Sequence, residues 1–129
     1  MADVTITNSQ ITALDEAGDV TANAATETTD ETAQDFVYTP TGQFNNVIFR
    51  VVTSSGVTVK ANEGDKVFAN GDSSETLAAG TFIYHFDLGR YLDDDGEVVL
   101  TFTPTETGED LVNDCALSVE AYEIDLDTQ

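Results

Sequence analysis

Basic residues are scarce in this chain. Four Lys and Arg stand against 25 Asp and Glu, a formal net charge of -21. No Lys or Arg precedes Arg50 or follows Arg90. A phosphate backbone repels such a surface, so no nucleic-acid partner is expected. Anionic membranes are repelled for the same reason, and no membrane partner is expected. The single cysteine, Cys115, rules out an intrachain disulfide. It lies in an apolar strand pattern and reads as a small buried hydrophobe. The single histidine, His85, and one thiol are too few ligands for a zinc site and form no local nucleophile–base pair. His85 reads as a surface or interface residue. Tryptophan is absent, which argues against a cleft that stacks sugars on aromatic faces. No run approaches the ~20 apolar residues of a membrane helix. Met1-Ala2-Asp3-Val4 carries no basic residue and no apolar stretch follows it. No secretory signal is expected, and synthesis in the cytoplasm is. No phosphate-binding glycine loop occurs.

What is present suits one folded domain. The chain has 129 residues, 40% of them hydrophobic, enough for a single core. The charge then needs a physical setting. At 0.1 M salt the Debye length is about 10 Å, and like charges on a small domain still repel. At 1 M it is about 3 Å, and most of that repulsion is screened. The acidity therefore points to a halophilic origin, with a fold that loosens as salt is withdrawn.

Residues 1–33 are polar and rich in Thr, Ala and acids. They read as an N-terminal arm or as short edge strands of the same domain. Val4-Thr5-Ile6 and Gln10 to Leu14 are the strand candidates, and Thr26 to Thr32 reads as a loop. Residues 34–129 carry regular strand signals. Phe36 and Tyr38 alternate before a turn at Pro40 and Gly42. Asn46 to Thr53 is apolar on both faces, as an interior strand would be. Ser54-Ser55-Gly56 then predicts a hairpin from Asn46 to Lys60. Lys66 to Ala69 and Glu75 to Leu77 are shorter candidates. The cleanest period-two patterns are Phe82, Tyr84, Phe86 and Val98, Leu100, Phe102. A last strand spans about Cys115 to Ile124, with Leu117, Val119 and Ala121 inward and Ser118, Glu120 and Tyr122 outward. The expected class is all-β: a single β-sandwich or Greek-key barrel, immunoglobulin-like or jelly-roll-like.

Asp93-Asp94-Asp95-Gly96-Glu97 offers several hard oxygens of the kind calcium prefers. Its spacing fails the EF-hand template: Gly comes too early, and Pro104 stands where the last Glu is needed. Asp95-Gly96 is better read as a hairpin turn, leaving Asp93, Asp95 and Glu97 as a weak cation candidate. Acids are too common here for any carboxylate pair to be diagnostic of glycoside hydrolysis. No catalytic residue and no cofactor are expected. Arg50 and Arg90 have two readings: internal pairs with carboxylates, or anchors at a protein interface, where Arg and Tyr are enriched. Arg90, Tyr91 and Arg50 are the partner-interface candidates.

Between about Thr39 and Ile124 the chain resembles small head decoration (cement) proteins of tailed viruses. The resemblance rests on three stretches. Thr41-Gly42 leads through Asn46 into Val47-Ile48-Phe49-Arg50-Val51. Leu77 to Gly80 precedes the aromatic strand Phe82 to Phe86. Leu88-Gly89-Arg90-Tyr91 is followed by Asp95-Gly96 and the strand Glu97 to Phe102. The longer acidic N-terminal region and the stretch Thr105 to Asp114 depart from the pattern. The resemblance implies binding to the major capsid protein on the outer surface of the assembled head, often as a homotrimer, with no catalysis. The virion would be its location, and a halophilic archaeal virus its source. A turret, vertex or tail-associated β domain is the second expectation, and a carbohydrate- or surface-binding module the third.

Overall fold

The structure is a computed structural model that describes residues 3–6, 8–11, 23–26, 33–40, 47–64, 73–85 and 91–124. These residues form ten strands: β1 (Val4–Ile6), β2 (Asn8–Ile11), β3 (Asn23–Ala24), β4 (Gln34–Tyr38), β5 (Val47–Thr53), β6 (Val57–Ala61), β7 (Ser73–Leu77), β8 (Gly80–Tyr84), β9 (Val98–Pro104) and β10 (Ser118–Ile124). No helix occurs among them.

The strands make two sheets. The first runs β1-β4-β9-β6-β7, and the second β2-β10-β5-β8, with β3 also on β10. β1 lies parallel to β4 and β2 parallel to β10; the remaining pairs are antiparallel. No strand pairs across the two sheets among the described residues, so the fold is a sandwich and not a closed barrel. The described strands within residues 1–33 all pair into these sheets. Thr26, next to β3, is held by Gln34: its N–H donates to Oε1 at 2.9 Å, and Gln34 Nε2 donates back to Thr26 Oγ1 at 2.7 Å.

Period-two alternation builds the core. β4, β5, β6 and β9 each bury every second residue. Phe36 meets Phe102 edge-on with centroids 5.1 Å apart, and Tyr38 meets Phe49 across the sheets at 5.2 Å. Such edge-to-face pairs each add roughly 0.5–1.5 kcal/mol beyond the area they bury. β10 turns Val119, Ala121 and Glu123 into this core. Glu123 is buried, and the buried Tyr38 hydroxyl donates to it.

The expected hairpin from Asn46 to Lys60 does not form. β5 already pairs with β10 and β8, and β6 with β9 and β7, so neither has a free edge for the other. Ser54-Ser55-Gly56 instead carries the chain from one sheet to the other. The stretch Thr105 to Leu117 pins this crossover. Ser54 N–H donates to Cys115 O at 2.6 Å, Ser54 Oγ to Asp114 O at 2.8 Å, and Thr105 N–H to Gly56 O at 3.1 Å. A Cβ on Gly56 would stand 2.3 Å from Thr105 Oγ1. Two apolar strands joined by a short turn look alike in sequence whether they pair or face each other.

The Glu75–Leu77 candidate extends to β7. The candidate strand Lys66 to Ala69, the turn residue Gly42, Phe86, Thr12 to Leu14 and Glu27 to Thr32 lie outside the described residues.

Candidate functional site

The acidic loop is a turn. Gly96 N–H donates to Asp93 O at 3.1 Å and Asp93 N–H to Glu97 O at 2.9 Å. Asp93 Oδ1 accepts the N–H groups of Asp95 and Glu97, both at 2.9 Å. Gly96 adopts φ +77°, the left-handed conformation that glycine tolerates best. A turn closed by an Asp side chain and ended by a left-handed Gly is a common hairpin device. Asp93, Asp95 and Glu97 do converge: one ligand atom from each lies within 4.8 Å of the others. Carboxylates of a tight surface turn gather in this way without an ion, and Asp93 Oδ1 already accepts two backbone N–H groups.

The three interface candidates part company. Arg90 lies outside the described residues. Tyr91 is half-buried against the core, and its hydroxyl is 2.7 Å from Ser73 Oγ. Arg50 sits in the middle of β5 on the outer face of the second sheet and pairs with Glu120 directly across on β10. The Glu120 side chain is 4% exposed and that of Arg50 41%. Tyr122 Oη lies 3.4 Å from Glu120 Oε2. β5 itself separates Arg50 from Tyr91, because the core-facing Phe49 and Val51 lie on Tyr91's side. The internal-pair reading of Arg50 is thus the observed one, and its guanidinium still reaches water.

Around Arg50, register defines an outward surface. Ile83 of β8 stands beside Arg50, which stands beside Glu120. The half-buried Ile48, Val52 and Tyr122 flank this row. Ile83 is 61% exposed and is the one exposed large hydrophobic among the described residues. β8 is an edge strand whose only partner among the described residues is β5. Gly80-Thr81-Phe82-Ile83-Tyr84 carries no charge. Sheet edges are usually guarded by charges, bulges or covering loops.

The inner side of the same edge borders a half-open cleft of about 190 Å³. Phe49, Val51, Val59, Ala61 and Leu100 line its apolar wall, with Tyr84 and Tyr91 beside them. Ser73, Ser74 and Glu75 of β7 form its polar margin. The Tyr84 hydroxyl is buried and has no hydrogen-bond partner among the described residues. Burial first, and then the negative charge of Glu75, push its pKa up to about 12. No sequence signal marked this cleft, because it arises where sequence-distant β5, β7 and β9 converge.

Cys115 is fully buried, its Sγ 4.0 Å from Gly56 O. Burial, then the charge of Glu109, raise its thiol pKa, so the reactive thiolate is disfavoured. Cys115 borders Thr53 at one end of β5, whereas exposed His85 follows the β8 residue paired with Phe49. At about 3.3 Å per residue this separates them by roughly 15 Å, too far for a nucleophile–base pair. Asp110 organises the loop between β9 and β10. Its carboxylate accepts the N–H groups of Asn113 at 2.6 Å and Val112 at 3.0 Å, and these bonds lower its pKa.

Comparison of the chain with protein-family models, curated proteins and solved structures gave no match.

Proposed function

We propose that this protein is a non-catalytic structural β-sandwich of a virion, a decoration protein that binds the major capsid protein on the outer surface of an assembled head in molar salt. The observation that carries the reading is the uncharged edge strand β8, with Ile83 61% exposed beside Arg50 in a chain of net charge -21. A strand that is an edge among the described residues and carries no charge can accept a partner strand, and alternate side chains beside it supply specificity. The outer face adds apolar area from Ile48, Val52 and Ile83, with one guanidinium to orient an acceptor. A protein that binds only the assembled lattice stabilises it by mass action, which needs a rigid domain with a sticky face and no chemistry. The motif resemblance supports the capsid as that partner, and homotrimers on the lattice would multiply weak contacts.

The test is quantitative mass spectrometry of gradient-purified, high-salt virions from the source. A copy number near one per capsid subunit, or one-third of it, supports decoration. Absence from the particle overturns it, and a few copies per particle would replace it with a vertex or tail role. Ile83→Asp should lower capsid occupancy at least about 10-fold, the effect of losing a buried Ile at an interface, with an unchanged circular dichroism spectrum.

A further inference from the structure

We propose that the β8 edge pairs with β8 of a second copy of this chain, antiparallel about a two-fold axis, so that the free protein forms a dimer with one continuous second sheet. This concerns the protein before it meets any particle, so it is tested apart from the capsid reading.

The edges of the sandwich are not alike. Among the described residues, β1, β7, β2 and β8 stand at the ends of the two sheets. β1 is three residues long, and a short edge offers a partner little to pair with. β2 is polar over Asn8-Ser9-Gln10. β7 carries Glu75 opposite the core-facing Val59, and an inward-pointing charge guards an edge. β8 has none of these devices. It is Gly80-Thr81-Phe82-Ile83-Tyr84, and no Asp, Glu, Lys or Arg occurs between Glu75 and Asp87. Two copies that each carry a net charge of -21 repel over most of their surface. An uncharged edge lets them meet with no carboxylate in the strand contact, and at 1 M salt the remaining repulsion is screened within about 3 Å.

The strand is also its own complement. A two-fold axis normal to the sheet sets outward residues beside outward residues. Centred on Phe82, it pairs all of β8: Phe82 with Phe82, Thr81 with Ile83, and Gly80 with Tyr84 of the second copy. Aromatic and β-branched cross-strand pairs are the stabilising kinds, and a Tyr ring across from an edge glycine covers the gap it leaves. On the outer face Ile83, 61% exposed in the single chain, gains Thr81 of the second copy as its direct neighbour and Ile83 of the second copy as its diagonal one. Two-fold pairing is closed: it consumes both edges and stops at two. The outer face around Arg50 stays open on both copies. One short strand pairing buries less than the roughly 1,200 Å² of a standard interface, so a dissociation constant of about 10 µM to 1 mM is expected.

Sedimentation equilibrium of the full chain in molar KCl, from about 10 µM to about 1 mM, should show an average mass that climbs from 13.8 kDa toward twice that value. Thr81→Asp sets a carboxylate into the contact from an exposed position and should raise the dissociation constant at least about 10-fold. Cross-linking reads the register. Opposed residues of antiparallel strands lie about 4.5–5.5 Å apart at Cα, within reach of a disulfide. Mild oxidation should therefore join Thr81→Cys/Ile83→Cys into a covalent dimer, and neither single variant should be joined. A mass that stays at 13.8 kDa or rises past twice it overturns the proposal. Association that Thr81→Asp leaves unchanged, or a double cysteine variant that does not cross-link, overturns it as well.

Discussion

Replacing Arg50 with Ala strips a buried carboxylate of its counter-ion, and the size of the effect follows from the geometry. Breaking a fully buried ion pair from one side costs about 3–5 kcal/mol, whereas an exposed pair is worth about 0–1 kcal/mol. The pair here lies between these limits, with Glu120 4% exposed and Arg50 41%. Arg50→Ala should therefore destabilise the fold by about 2 kcal/mol. For a domain of this size that lowers Tm by roughly 6–10 °C. Tyr122 cannot replace the guanidinium, because its hydroxyl is 3.4 Å from Glu120 and carries no charge. Salt trims the loss without erasing it. The Debye length at 1 M is about 3 Å, but screening ions do not reach a buried carboxylate.

Glu120→Gln supplies the control. Alone it leaves Arg50 with access to water and should cost about 1 kcal/mol. In Arg50→Ala/Glu120→Gln the uncompensated charge is gone, so the double variant should be more stable than Arg50→Ala by about 1 kcal/mol. Thermal unfolding by circular dichroism in molar KCl measures all four proteins. An Arg50→Ala loss below about 0.5 kcal/mol, or a double variant no better than Arg50→Ala, refutes the reasoning.

Two further outcomes rest on backbone geometry and on one carboxylate. A Cβ at Gly64 would stand 2.5 Å from Leu92 O and 2.7 Å from Tyr91 C, backbone atoms that cannot swing aside. Gly64→Ala should cost at least about 2 kcal/mol. Gly96→Ala, with open space around it but φ +77°, should cost about 1 kcal/mol, and denaturant midpoints must keep that order. The pKa of Asp110 is lowered in the fold, so its contribution is complete above the unfolded value of about 3.9 and is lost as pH falls through the lower folded value. The Tm gap between the native protein and Asp110→Asn should be widest above about pH 4 and close on acidification; a gap that widens toward acid contradicts the assignment.

Strands whose alternation is local were legible. Phe36 and Tyr38, or Val98, Leu100 and Phe102, announce one buried face without reference to any other segment. Pairing was less legible. Val47 to Ala61 has the pattern of a hairpin, yet its halves belong to opposing sheets, because β10 and β9, far along the chain, occupy the edges a hairpin would use. Glu123 was within reach of sequence reasoning. It continues the inward series Leu117, Val119, Ala121, and a carboxylate at such a position calls for a buried donor, which Tyr38 provides. The burial of Glu120 had no such sign, since it depends on an Arg 70 positions away. The Asp95-Gly96 turn could be read because its geometry is set by adjacent residues, whereas the cleft is a property of packing between strands.

β8 presents two different faces, and only the outer one serves the proposed capsid contact. Successive side chains of a strand point to opposite faces. Tyr84 therefore belongs to the cleft wall, while its neighbour Ile83 belongs to the outer face beside Arg50. A substitution at Ile83 leaves the inner wall intact, and Tyr84→Phe leaves the outer face intact. Loss of capsid binding in Ile83→Asp with amide exchange along β8 unchanged would mean that the edge works through its outer face alone. Loss of binding together with faster exchange would mean that the β5–β8 pairing itself had given way. The Phe49–Tyr84 to Thr53–Gly80 ladder would then show that loss as fast amide hydrogen exchange along β8, ahead of exchange in β9, which is paired on both sides in the other sheet.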